Sequence, residues 1–328
     1  MKLASLKSGR DGRLIVVSDD LSSYLEVDDI IPTLQMALEN WENVEPKLRD
    51  RYASLCSDPK ATAKKFDATL CAAPLPRAYH WVDGSVYLNH MKLVRQSRGA
   101  KMPDSFLEEP LVYQGGSDIL IGAREPILAD DESWGIDLEA EIAVITDDVP
   151  AGTSADEAPQ HIKLVLIAND ISLRNLIPGE LSKGFGFYQS KPPTSFSPVA
   201  VTPDALGDAW DGTKLHGAVN VSINGQKLGN PDAGTDMYFD FAQLIEHVTK
   251  TRPLGSGTII GSGTISNEDR SRGSCCLAEV RTIETIETGS PKTPYMSFGD
   301  KVAIDMFDAF GNSIFGKIEQ VVQRRQEI

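Results

Sequence analysis

GIDLEAEIAVIT, Gly135 to Thr146, is acidic in its first half and apolar and β-branched in its second. A two-residue period predicts a strand, with Leu138, Ala140 and Ile142 on one face and Glu139 and Glu141 on the other. Two like charges on neighbouring side chains repel and push a carboxyl pKa up. A divalent cation removes that penalty, and paired carboxylates are the hard oxygen ligands of Mg²⁺ or Ca²⁺, with Mn²⁺ a further candidate. Taken alone, the pair reads first as a solvated strand face carrying two acids.

Working outward, further strands are expected in KLVLIAND (163–170), GAVNVSING (217–225), GTIIGSGTI (257–265), CLAEVRTIE (276–284) and KVAIDMFD (301–308). Each is short, β-branched and bounded by turn formers. Asn224-Gly225 is a hairpin signal. In this part of the chain, helical spacing is confined to YFDFAQLIEHVTKT, opening near Asp240, and to SADEAPQHIK. The βαβ alternation of a doubly wound sheet is missing. The GSGT segments at Gly255–Thr258 and Gly261–Thr264 read as turns, since no helix follows the second and a dinucleotide fingerprint needs one.

Residues 1–78 read as a small N-terminal unit and 79–328 as the main domain. DGRLIVVSDD is a strand closed by a polar turn. DIIPTLQMALENWENVEPKLRDRYASL has helical spacing, with Ile31, Leu34, Leu38 and Trp41 on one face. The prolines of FDATLCAAPLPRAYHW then mark a linker.

The chain has 328 residues, and its 32 basic against 47 acidic side chains give a net charge of −15. That balance argues against nucleic acid or an anionic membrane as partner, because both need a basic footprint. An acidic chain takes an acidic small molecule only through a local cation, a metal or a few Lys/Arg. No apolar run is long enough to span a bilayer and no secretory h-region is present, which points to the cytoplasm. Cys56, Cys71, Cys275 and Cys276 show no CxxC spacing, so neither a disulfide framework nor a zinc motif is expected.

Two more segments concentrate polar groups where apolar strands end. LVLIANDISLRN carries Asp170 and, four residues on, Arg174; Asp170 is as readily a turn residue or helix cap. HWVDGSVYLNH carries Asp83 seven residues before His90. Together with Glu139 and Glu141 they amount to an oxygen donor set plus one titratable base.

The chain resembles the fumarylacetoacetate hydrolase family. The resemblance rests on WVDGSVYLNH, PLVYQGG, GIDLEAEIAVI, IANDISLRN, QSKPPTSFSP, GSGTISNED and SCCLAEVRTIETIETG, followed by MSFGDKVAIDMFDAFGNSIFG, in order across about residues 80–317. It implies a mainly β, α+β architecture, the mixed β-roll, with a small N-terminal domain, and a homodimer. It implies a divalent metal held by Asp83, Glu139, Glu141 and Asp170. His90 falls on the catalytic base, Glu279 on the acid that orients it, and Lys191 on a catalytic cation. Tyr113, Arg174 and Thr264 fall on substrate-contacting positions. Two stretches depart from the family pattern: GSCCLAE is two residues longer than its Gly-Ser-x-x-Glu, and KPPTSF stands where relatives have a Gly-rich segment.

The implied reaction is hydrolysis of the C–C bond of a 1,3-diketo acid, foremost fumarylacetoacetate to fumarate and acetoacetate in tyrosine catabolism. Acylpyruvate hydrolysis, β-keto-acid decarboxylation and isomerisation of a dienoate from aromatic degradation are the alternatives within the family. A non-enzymatic scaffold is the alternative outside it. The substrate expected is a small dicarboxylate diketo acid. Arg174 reads equally as its carboxylate partner and as a salt bridge orienting Asp170.

Overall fold

Alternate residues of the Ala140–Thr146 strand enter different cores. Leu138, Ala140, Ile142 and Val144 join the larger one, and Ala143 and Ile145 join a second. The face that carries Glu139 and Glu141 is therefore covered rather than solvated, and both glutamates are buried. The next strand, Ile162–Asn169, repeats the pattern: Leu164, Leu166 and Ala168 face the second core, and Val165 and Ile167 the first. A strand buried on both sides reads as a nearly continuous apolar run, which is what both segments are.

The protein is described by a computed structural model covering residues 1–57, 63–96 and 104–325. Among the described residues, twelve strands form one mixed sheet. Its central path runs Lys2–Leu6, Ala200–Val201, Ile162–Asn169, Ala140–Thr146, Ile259–Gly261, Trp81–Gly84 and Val112–Gly115. The Ile259–Gly261 and Trp81–Gly84 strands pair parallel, and the other pairs on this path are antiparallel. Five further strands form a second sheet that contains the Val219–Ile223 and Gln226–Gly229 hairpin. Its turn is Asn224-Gly225, both at positive φ (52° and 76°) as a primed turn requires. The architecture is the mainly β, α+β arrangement expected.

The N-terminal residues continue this sheet. Arg13–Val17 pairs with Lys2–Leu6, which pairs in turn with Ala200–Val201. Met1, Leu3, Leu14 and Val16 pack with Leu34, Leu38 and Leu48 in the second core, against which Ile31 and Trp41 also lie. Trp81, fully buried there, meets Phe196 edge to face at 5.5 Å, a geometry worth about 0.5–1.5 kcal/mol beyond its area.

Three local expectations need correction. CLAEVRTIE is no strand: Leu277–Thr288 is a helix, N-capped by Cys276 and stopped by Gly289 at φ 86°. A short β-branched run fits either period, and the left-handed glycine twelve residues on was the deciding signal. The long N-terminal helical stretch is two helices, Leu34–Leu38 and Trp41–Ser57, interrupted at Glu39-Asn40. SADEAPQHIK makes no α-helix: it holds the 3₁₀ turn Ala158–His161 and then enters the Ile162–Asn169 strand. The helix opening at Asp240 forms as Phe241–Thr249, with a full capping box to Gln243.

Candidate metal and acid–base site

Antiparallel pairing of Ala140–Thr146 with Ile162–Asn169 sets Ala140 opposite Asn169. The first residues of one strand and the last of the other therefore lie side by side. This places Glu139, Glu141 and Asp170 together, and Asp170 N–H donates to the Glu139 carbonyl at 2.9 Å. Asp83 reaches the same place because its strand pairs with Ile259–Gly261, Gly261 opposite Asp83. Gly261 is required by this approach. A Cβ there would lie 2.3 Å from Asp83 Oδ1 and 3.1 Å from Glu141 Oε2.

Asp83, Glu141 and Asp170 each bring a carboxylate oxygen within 4.8 Å of the others. Asp83 Oδ1 accepts from Gly263 N–H at 3.1 Å. Asp170 Oδ1 accepts from Thr194 Oγ1 at 2.8 Å, and its Oδ2 from Tyr113 Oη at 2.6 Å and Lys191 Nζ at 2.5 Å. Glu141 is different: both its oxygens are buried without a hydrogen-bond donor among the described residues. Burial first, then repulsion from the neighbouring acids, holds the Asp83 and Glu141 carboxyls above the ordinary range. A buried, donor-less carboxylate beside two others is the donor set of a hard divalent cation, so these residues fit the metal that the resemblance implies.

Glu139 stands apart from its partner in the Glu139-Ala-Glu141 pair. Its Oε1 accepts from Arg174 Nη2 at 2.7 Å and its Oε2 from Lys191 Nζ at 2.5 Å. Burial works against the Glu139 charge, but Arg174 and Lys191 outweigh it and keep the carboxyl well below the usual range. Arg174 also donates to Asp137 Oδ2 at 2.8 Å, and Asp137 in turn accepts the Leu277 and Ala278 N–H groups that open the Leu277–Thr288 helix. The Arg174 guanidinium therefore ties the carboxylate cluster to that helix.

One turn into the helix, buried Glu279 comes within 4.8 Å of a ring nitrogen of His90. His90 lies on the Leu88–Gln96 helix, which starts just beyond the Asp83 strand. Ser266 Oγ donates to Glu279 Oε1 at 2.5 Å, while Glu279 Oε2 and His90 Nδ1 are buried without partners. Burial raises the Glu279 carboxyl to about 7, against the hydrogen bond from Ser266. Burial likewise depresses the His90 imidazole to about 4, leaving it neutral near neutral pH, the form that can accept a proton.

Asp83, His90, Tyr113, Glu139, Glu141, Arg174, Lys191 and Thr264 all line one cleft of about 760 Å³. Sequence reasoning did not single out four residues that matter here. Thr194 holds Asp170, and Gly261 makes room for Asp83. Glu180 accepts the N–H groups of Tyr188, Gln189 and Ser190 and so fixes the turn before Lys191. Arg281 lies on the cleft wall, its guanidinium 4.2 Å above the Tyr295 ring and bonded to the Thr293 carbonyl. Gly261, Thr194 and Arg281 lie within motifs quoted above, and Glu180 does not. No helix among the described residues is long and apolar enough to cross a membrane.

A family described as "Fumarylacetoacetate (FAA) hydrolase C-terminal" matches residues 79–323, and one described as "Fumarylacetoacetase N-terminal domain 2" matches residues 1–77. Oxaloacetate tautomerase YisK of Bacillus subtilis is 27% identical over 198 residues, 59% of this chain and 61% of that protein. Across the curated relatives it matches, the chain aligns with 48–68% of their length. A putative HpcE protein from Mycobacterium smegmatis superposes with a TM-score of 0.73 at 18% identity, over 99% of this chain and all of that one. Maleylpyruvate hydrolase from Sphingobium sp. SYK-6, solved with manganese(II) and pyruvate, superposes with a TM-score of 0.65 at 15% identity over the same shares. These two likenesses show a common fold.

Proposed function

The chain belongs to the fumarylacetoacetate hydrolase family, and we propose that it is a metal-dependent hydrolase of a 1,3-diketo acid bearing two carboxylates, with fumarylacetoacetate the first substrate to test. The observation that carries this reading is the His90–Glu279 pair. A neutral imidazole lines the cleft that Asp83, Glu139 and Glu141 also line, and behind it lies the buried Glu279 carboxyl; each of the two has an unpartnered atom among the described residues.

Asp83, Glu141 and Asp170 would hold a divalent ion, Mg²⁺, Ca²⁺ or Mn²⁺, with Glu139 beside them. That ion would supply Lewis-acid polarisation of the substrate's carbonyl oxygens. His90 takes a proton from water at a ring nitrogen, and Glu279 steadies the resulting imidazolium. The hydroxide adds to the keto carbon. The C–C bond then breaks, its electron pair leaves with the departing enolate, and the proton held by His90 returns to that fragment. Lys191 has three donors, two of them taken by Glu139 and Asp170, so one remains for the developing oxyanion.

The substrate's charge needs a further cation. Asp83, Asp137, Glu139, Glu141 and Asp170 are all buried, and they outnumber Arg174 and Lys191 even after a divalent ion is added. Arg174 is held by Asp137 and Glu139, so it is a structural bridge, but to these two acids and not to Asp170, whose ion-pair partner is Lys191. Arg281 makes no carboxylate ion pair among the described residues, and it lines the cleft together with Leu181, Ile177 and Pro291. Arg281 is our candidate for the distal carboxylate.

The test is turnover of fumarylacetoacetate, a panel of acylpyruvates and oxaloacetate by metal-loaded protein. Release of fumarate and acetoacetate supports the proposal. Keto–enol conversion of oxaloacetate with no cleavage of any diketo acid overturns it in favour of a tautomerase, a reading favoured by the match to YisK.

A further inference from the structure

Cys276 N-caps the Leu277–Thr288 helix with extended backbone (φ −153°, ψ 159°), yet its side chain makes no capping bond. Three residues on, the helix returns Glu279 to the same end. The Cys276 Sγ, a ring nitrogen of His90 and a carboxylate oxygen of Glu279 lie within 4.8 Å of one another. Cys276 is fully buried and Glu279 is 3% exposed. His90 Nδ1 and Glu279 Oε2 have no hydrogen-bond partner among the described residues. Unpartnered buried polar atoms are costly unless something satisfies them.

The donors differ in kind from those of the neighbouring cluster. Asp83, Glu141 and Asp170 offer only oxygen, which suits a hard ion. A nitrogen, a sulfur and a single oxygen suit a borderline ion that accepts tetrahedral coordination. Such an ion holds its donors about 3.5 Å apart, given bonds of about 2.0–2.3 Å, so modest side-chain adjustment closes the set. His90 lines the cleft, which gives the ion a route in.

We propose that His90, Cys276 and Glu279 form a second metal site, distinct from the carboxylate cluster and selective for a thiophilic divalent ion such as Zn²⁺ or Co²⁺. On binding, the Cys276 thiol releases its proton to solvent and a metal–sulfur bond forms, with no change in oxidation state. Water completes the fourth position from the cleft. An occupied site ties up the His90 imidazole and so inhibits turnover, a consequence that rests on the role given to His90 above.

The experiment titrates Co²⁺ into protein already saturated with Mg²⁺ and follows the near-ultraviolet sulfur-to-cobalt charge-transfer band. An all-oxygen site cannot give that band. We expect it in the native protein, and we expect Cys276→Ser, Cys276→Ala and His90→Ala to lose it while keeping their Mg²⁺-induced thermal shift. Zn²⁺ should inhibit the Mg²⁺-loaded native enzyme, with the inhibitory concentration at least tenfold higher in Cys276→Ser, measured against that variant's own uninhibited rate. Absence of the band, or its persistence in both Cys276 variants, overturns the site. A Cys276-dependent band without Zn²⁺ inhibition upholds the site and removes His90 as the base.

Discussion

Arg174 Nη2 donates to Glu139 Oε1 at 2.7 Å, and this pair divides the Glu139-Ala-Glu141 motif into two unlike carboxylates. Glu139 is bonded to protein cations through both oxygens, whereas Glu141 has no donor among the described residues. Glu141→Gln should therefore lower Mn²⁺ affinity by on the order of 100-fold and leave the metal-free fold at least as stable, because it deletes a repelled charge. Glu139→Gln strips a buried anion from Arg174 and Lys191 and should cost about 3–5 kcal/mol. Calorimetric Mn²⁺ titration and urea unfolding separate the two. Equal loss of metal binding in both variants with no stability difference would contradict the division.

Metal and proton compete for the same cluster. Burial and mutual repulsion raise the Asp83 and Glu141 carboxyls, so the stability they contribute is present at low pH and is lost as they ionise with rising pH. A bound divalent ion replaces the protons. Mg²⁺ or Mn²⁺ at about 100 times its dissociation constant should stabilise the protein by about 2.7 kcal/mol. The gain should be larger at pH 8 than at pH 5. Chelator-treated protein unfolded in urea at both values, with and without metal, reads this directly.

Gly261→Ala tests the packing of the cluster without touching a charge. The added methyl would meet Asp83 Oδ1 at 2.3 Å and Trp81 Cη2 at 2.4 Å, and buried Trp81 has no room to retreat. Asp83 must move instead. The expected result is a folded protein whose Mn²⁺ affinity falls by at least tenfold, seen by calorimetry. Unchanged affinity would mean that Asp83 is not a ligand.

What the sequence displayed and what it hid divide along physical lines. Glu139, Glu141 and Asp170 were legible because charges at the ends of apolar strands contradict the local pattern. That Glu139 answers to Arg174 and Lys191 was not legible, because it depends on strand register and on a turn fixed by Glu180, more than forty positions from the first glutamate. Thr194 and Arg281 are ordinary residues in sequence; only the fold puts one on Asp170 and the other on the cleft wall. The helix at Leu277–Thr288 was misread because β-branched residues suit a strand, yet tertiary position sets Glu279 on a helix beside His90.

Arg281→Ala should discriminate between substrates. Loss of a charge-assisted contact to a carboxylate costs about 1.5–3 kcal/mol, a ten- to hundredfold rise in KM for a dicarboxylic diketo acid. A monocarboxylic acylpyruvate of similar length should show little change, and kcat should fall little for either. Equal effects on both substrates would assign Arg281 to packing over Tyr295 rather than to recognition.

Glu279 gives the protein a titration of its own near neutrality. Its folded pKa of about 7 lies above the ordinary 4.5 because of burial. The folded protein therefore binds this proton more tightly than the unfolded chain does. The stability linked to it is full below about pH 4.5 and is lost as pH rises through about 7, on the order of 3 kcal/mol in all. Glu279→Gln removes that loss. With saturating Mg²⁺, the unfolding free energy of the wild type relative to Glu279→Gln should thus fall between pH 5 and pH 8.5. His90, depressed to about 4, stays neutral throughout this window. Activity should run the opposite way. The ionised carboxylate is the form that steadies an imidazolium, so wild-type kcat/KM should rise through about pH 7, and Glu279→Gln should be slow and flat. A parallel rise in the variant would assign the pH dependence to metal binding, and Glu279 would lose its place beside the base.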